Sequence, residues 1–184
     1  MDRIDRQASI EAGELRLGRW DKFNHYFPVY VLFGISVSMP GFWLYDQVIG
    51  LPKPSVIHPG DLTFNLFIFI PLVLGVLVFR SQKQALRLVS VKTGRERSEN
   101  RELVRKAAKT LQCSIAVAAE NEFVGITNPP FRSGSWGERI TVLFEGDEVF
   151  VNSICDPDKQ TSLVSCGRNG ANVRVIVRRL NAGR

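Results

Sequence analysis

Histidine is nearly missing from this chain: among 184 residues only His25 and His58 occur. Neither lies between residue 98 and the end, which leaves that region without an imidazole for a triad or a metal centre. Cysteine is scarce and odd in number. Cys113, Cys155 and Cys166 include no Cys-x-x-Cys pair, which excludes a zinc ribbon and a disulfide framework. All three are expected as reduced, mostly buried thiols. Charge is missing altogether from two stretches, Phe27 to Tyr45 and Leu62 to Phe79.

Those two runs dominate the reading. As helices at about 1.5 Å per residue, they are long enough to cross a hydrocarbon core of about 30 Å. Trp20, Phe23, Tyr26 and Tyr30 gather at one end of the first run, and Trp43 and Tyr45 close the other, as an interfacial aromatic belt does. Pro28 falls near a helix start, whereas Pro40 and Pro71 are expected to bend their helices. The first run is too long and begins too late for a cleaved signal peptide. The expectation is a transmembrane α-helical hairpin over 26–80, with spans of about 27–45 and 62–79.

Positive charge sets the expected orientation. Residues 1–25 balance five Lys or Arg against five acids, and the loop from Asp46 to Asp61 holds only Lys53. The 81–97 linker and its flank carry Arg80, Lys83, Arg87, Lys92, Arg95 and Arg97 against Glu96 alone. Basic residues flanking spans stay inside, so both termini are expected in the cytoplasm of a plasma (inner) membrane, with 1–25 as a cytoplasmic tail. Most of the net +6 therefore sits in a juxtamembrane band suited to anionic lipid. Nucleic acid is not an expected partner, because no basic stripe with interleaved aromatics follows.

Residues 98–184 read as a small cytoplasmic α+β domain. Ser98 is a candidate cap for a helix with Glu99 and Glu102 early and Arg105, Lys106 and Lys109 late, the order that suits the helix dipole. SIAVAAENEFVGITN reads as two strands joined at 120–122, and NPPFRSGSWG, 128–137, as a loop. In ERITVLFEGDEVFVNSIC, Ile140, Val142 and Phe144 alternate, Glu145-Gly146-Asp147 turns, and Val149 and Val151 return. Asn169 starts a last helix with Val173, Ile176, Val177 and Leu180 at helical spacing. The expected order is α-β-β-β-β-α, an antiparallel four-stranded sheet with two helices on one face. Its other face would carry Arg139, Thr141, Leu143, Phe150, Asn152 and Ile154, either open to a partner or covered by loop 128–137.

One motif suggests chemistry. An apolar strand followed by Asp156-Pro157-Asp158 resembles the nucleophile strand of haloacid-dehalogenase-like phosphatases, which would make Asp156 and Asp158 catalytic with magnesium. Only 21 residues follow Leu163, too few for the parallel strands that fold needs, and Asp-Pro-Asp-Lys has ordinary turn composition. Ser133-Gly134-Ser135-Trp136-Gly137 approaches a nucleophile elbow but has serine where glycine is required. Gly167-Arg168-Asn169-Gly170 could present amides and a guanidinium to an anion, or simply start a helix. No metal site and no cofactor is expected.

At Trp136-Gly137-Glu138-Arg139-Ile140-Thr141, Asn152-Ser153-Ile154-Cys155-Asp156-Pro157-Asp158-Lys159 and Ser165-Cys166-Gly167-Arg168-Asn169, the chain resembles a group of uncharacterised bacterial inner-membrane proteins with two spans and a small cytoplasmic domain. That resemblance implies a location and no activity. The leading expectation is a non-enzymatic membrane protein whose domain binds a protein partner, a second copy or a small ligand. Its expected contacts are Phe131, Arg132, Trp136, Arg139, Asn152, Arg168 and Asn169. The alternatives are a membrane-anchored phosphate-processing enzyme using Asp156 and Asp158, or an oligomeric pore or transport accessory lined by Asn65.

Overall fold

The computed structural model describes residues 4–49, 60–128, 136–159 and 167–182. These residues form two compact units, one joining the segment up to His25 with that from Lys83 onward, the other Tyr26–Gln82.

The second unit is a pair of antiparallel helices. Their partners belong to α2 (Arg19–Ile49) and α3 (Leu62–Ala85), which retain Pro28, Pro40 and Pro71 within helical structure. The rings of Tyr26 and Phe79 lie 5.6 Å apart, and Phe33 packs so closely on Gly75 that a Cβ there would sit 2.8 Å from its ring. A small residue lets the helices approach. Most of the apolar surface is left outside, with Phe42, Phe69 and Leu77 among the exposed side chains.

The first unit begins with α1 (Arg6–Ala12), whose N-cap Asp5 accepts from the Ala8 amide at 3.1 Å. Its centre is a five-stranded antiparallel sheet of order β1-β5-β4-β3-β2. The strands are β1 (Val89–Lys92), β2 (Ser114–Ala118), β3 (Glu122–Ile126), β4 (Glu138–Glu145) and β5 (Glu148–Cys155). Two helices, α4 (Arg97–Thr110) and α5 (Arg168–Asn181), complete it.

The expected sheet had four strands; β1 is the addition. Val89 and Val91 pair with Val151 and Val149, turning part of the basic linker into a sheet edge. The β4–β5 hairpin keeps the expected alternation but tightens its turn to Gly146-Asp147, since Glu145 pairs with Glu148. Gly146 takes the positive φ of 56° that this turn requires. Ser98 is not the cap of α4, which starts at Arg97 after Glu96. Buried Asn100 ties that helix start to Thr93 Oγ1 at 2.9 Å instead.

One sheet face forms the hydrophobic core. Phe123, Ile140, Val142, Phe144, Val149 and Val151 meet Val104, Ala107 and Ala108 of α4 and Ile176 and Leu180 of α5. Their 3.6-residue spacing on the helices and two-residue spacing on the strands is why both patterns converge there. The opposite face is not open among the described residues, and 129–135 of loop 128–137 lie outside them. Thr141, Leu143, Asn152 and Ile154 are buried on it. Asn152 Nδ2 donates to the carbonyls of Ala85 and Arg87, Arg6 donates to the Phe144 carbonyl and pairs with Glu145, and Asp21 reaches Arg139. Residues 4–25, read from sequence as a tail, thus pack on the sheet.

Candidate functional site

Arg139 is the largest fully buried side chain in the described structure. A guanidinium at 0% exposure must have its donors answered by acceptors, because stripping water from an unpaired charge costs several kcal/mol or more (~). Three carboxylates answer it. Nε donates to Asp156 Oδ1 at 3.2 Å, Nη1 to Asp21 Oδ2 at 2.5 Å, and Nη2 to Asp158 Oδ2 at 2.9 Å.

Each partner arrives by a different route. Register places Arg139 opposite Ile154, beside the end of β5, so the chain leaving that strand turns Asp156 directly onto the guanidinium. Asp156 Oδ1 also accepts the Asp158 amide at 3.3 Å, an Asx-type bond that folds Asp-Pro-Asp into a turn and swings the second carboxylate back to Nη2. Asp21 comes from the first turn of α2, and Asn24, one turn on, donates to the Pro157 carbonyl at 3.1 Å. The Asp156 amide bonds the Gly137 carbonyl at 3.0 Å, and Gly137 has φ 138° with no room for a side chain. A Cβ there would lie 2.7 Å from the Thr127 carbonyl oxygen.

Across the sheet, on the helix side, sits a second buried polar group. Glu138 accepts from Thr127 and faces Arg168 Nε at 3.0 Å. Ser153 donates to Asn169 at 3.3 Å and accepts from Asn172 at 3.3 Å, anchoring the start of α5. Burial, reinforced by the negative charge of Glu138, pushes the nearby Cys113 thiol up to about 11 from an ordinary 9.0. Burial likewise raises the Glu122 carboxyl, with Arg6 pulling the other way.

The expected residues therefore divide. Arg139, Asp156 and Asp158 come together, while Asn152 is used along the same face on backbone carbonyls. Arg168 and Asn169 join the separate group at α5. Trp136 is 46% exposed. Phe131, Arg132 and Cys166 lie outside the described residues, as do His58 and Ser133 to Ser135. Sequence reasoning missed Asp21, Asn24 and Glu138. The only local signal was a charged pair, Glu138-Arg139, opening a largely apolar strand, whose alternation sends the two charges to opposite faces.

Asp156 is 3% exposed, the Asp158 side chain is 37% exposed, and Arg139 engages both carboxylates. Among the described residues no group of three or more His, Cys, Asp or Glu is arranged to hold a metal ion. Among the described residues no disulfide joins Cys113 to Cys155. No protein-family model, curated protein or solved structure matches the chain.

Proposed function

We propose that this chain is an integral protein of a bacterial inner membrane, crossing it twice, with its α+β domain in the cytoplasm as a non-enzymatic interaction or ligand-sensing module. The observation that carries the reading is the exposure of the two long apolar helices. Only 17% and 11% of their most hydrophobic windows are buried, whereas a core helix of a soluble protein would be mostly enclosed. A cleaved leader fits poorly too, since its removal would take Asp21 away from buried Arg139.

Sidedness has its own support. The residues before α2's apolar stretch and those after α3 belong to one compact unit, which supports placing both on one side of a bilayer. Basic residues there favour the cytoplasm. Arg80, Lys83 and Arg87 are exposed and suit anionic headgroups, whereas Arg95 and Arg97 are paired with Glu99 and Glu120.

Fusions test this directly. A reporter active only outside the cytoplasm should work when inserted near Lys53 and stay silent after Arg184. Alkaline extraction should leave the chain in the membrane fraction; release into the supernatant, or a reporter active at Arg184, would overturn the reading.

A further inference from the structure

We propose that β2 is a docking edge for an extended acidic segment of a partner protein, which joins the sheet as an added strand and is read by arginines of α4. This rests on the interaction-module reading above and names its surface. The sheet order leaves two edges, β1 and β2, and they are treated differently. At the β1 edge the chain is charged and partly covered. Lys92 ends the strand, and just before it the Leu15 amide donates to the Leu86 carbonyl at 2.8 Å and the Leu88 amide to Gly13 at 2.9 Å.

Among the described residues the β2 edge has neither protection. Ser-Ile-Ala-Val-Ala contains no charge and no proline, four of its five residues are exposed, and Ile115 is 53% exposed. An irregularity between Ile115 and Val117 bends the strand without charging it. An edge strand keeps a row of outward amides and carbonyls, the template for β-augmentation.

Charge decides the occupant. Arg97, Arg101 and Arg105 recur at i, i+4, i+8 and so form one stripe along α4. Arg97 pairs at 3.1 Å with Glu120, two residues beyond β2, and Arg101 and Arg105 line a small cavity with Ala118 and Ala119. The stripe therefore runs beside the strand. Among the described residues neither Arg101 nor Arg105 is paired with a carboxylate. The Arg97–Glu120 pair shows the chemistry that an incoming acidic strand would repeat. A second copy would bring its own arginines against these, so like charge disfavours it.

The experiment uses the full chain in detergent with a labelled peptide of alternating valine and glutamate, and one of valine and lysine as control. The acidic peptide should bind, weaken with added salt, and protect the amides of residues 114–118 from hydrogen exchange. Arg101→Glu with Arg105→Glu should weaken binding roughly tenfold or more at unchanged melting temperature. Where melting shifts, the Arg→Gln pair must show the same direction of loss. Equal binding of the basic peptide, retained affinity in both variant pairs, or protection located elsewhere overturns the proposal. So does protection of 114–118 that grows with protein concentration without peptide, which would assign the edge to a second copy. Absence of any binding while the topology fusions behave as expected removes this edge alone and leaves the membrane reading intact.

Discussion

The two faces of the sheet are held by opposite means. On one, aliphatic and aromatic side chains from four strands meet two amphipathic helices. On the other, a short N-terminal segment is fastened in part through one buried guanidinium that joins two separate stretches of chain, Asp21 and the Asp156-Pro157-Asp158 turn. Burial of apolar area is non-directional and tolerates small losses, whereas a buried charge demands its partners in place. The apolar face gives cohesion; the polar one fixes which segment lies there and in what register.

Removing the hub should break this contrast most sharply. Arg139→Met leaves Asp21 and Asp156 buried without their cation and should cost about 3–5 kcal/mol in thermal or denaturant unfolding. Adding Asp21→Asn and Asp156→Asn should recover part of that, because the uncompensated charges go with the arginine. A loss below about 1 kcal/mol for Arg139→Met would mean that the carboxylates find other partners. On the apolar face, Ile176→Val should cost only about 0.5–1.5 kcal/mol by the same measurement, a methyl removed from a core that partly closes around it.

The smallest effect concerns Cys113 and appears only in alkali. Its thiol is raised from 9.0 to about 11, so the folded state holds a proton that the unfolded state gives up earlier. That contribution to stability is complete below pH 9 and is lost as pH rises through about 11. Alkylation near pH 8 should run roughly a hundredfold slower than for an ordinary thiol, since two pKa units remove that much thiolate. Rates equal to those of the denatured chain would contradict the burial described, and Cys113→Ser should abolish the alkaline loss.

Much of the apolar face was legible in the sequence because its signals are local. Val142 and Phe144 alternate within one strand, and Ile176 and Leu180 recur within one helix. Strand β1 escaped because Val89 and Val91 stand among Arg87, Lys92 and Arg95, where topology alone seemed to explain the charges. The polar cluster was half legible: hairpin pairing brings Arg139 near the Asp-Pro-Asp turn. Nothing in the local pattern announces Asp21, which looks like one acid in a balanced tail. The second face accordingly reads from sequence as either open or covered by loop 128–137, whereas residues 4–25, from the far end of the chain, pack on it.

The Arg139–Asp21 bond spans 118 positions of sequence, and that separation sets an order of events in time. The first apolar helix leaves the ribosome with Asp21 at its base long before Arg139 is made, a wait on the order of ten seconds at ordinary synthesis rates. Through that interval the N-terminal segment has no sheet to lie on. Docking of residues 4–25 is therefore a closing step of biogenesis, one that can be completed only by a chain whose last strands have already folded.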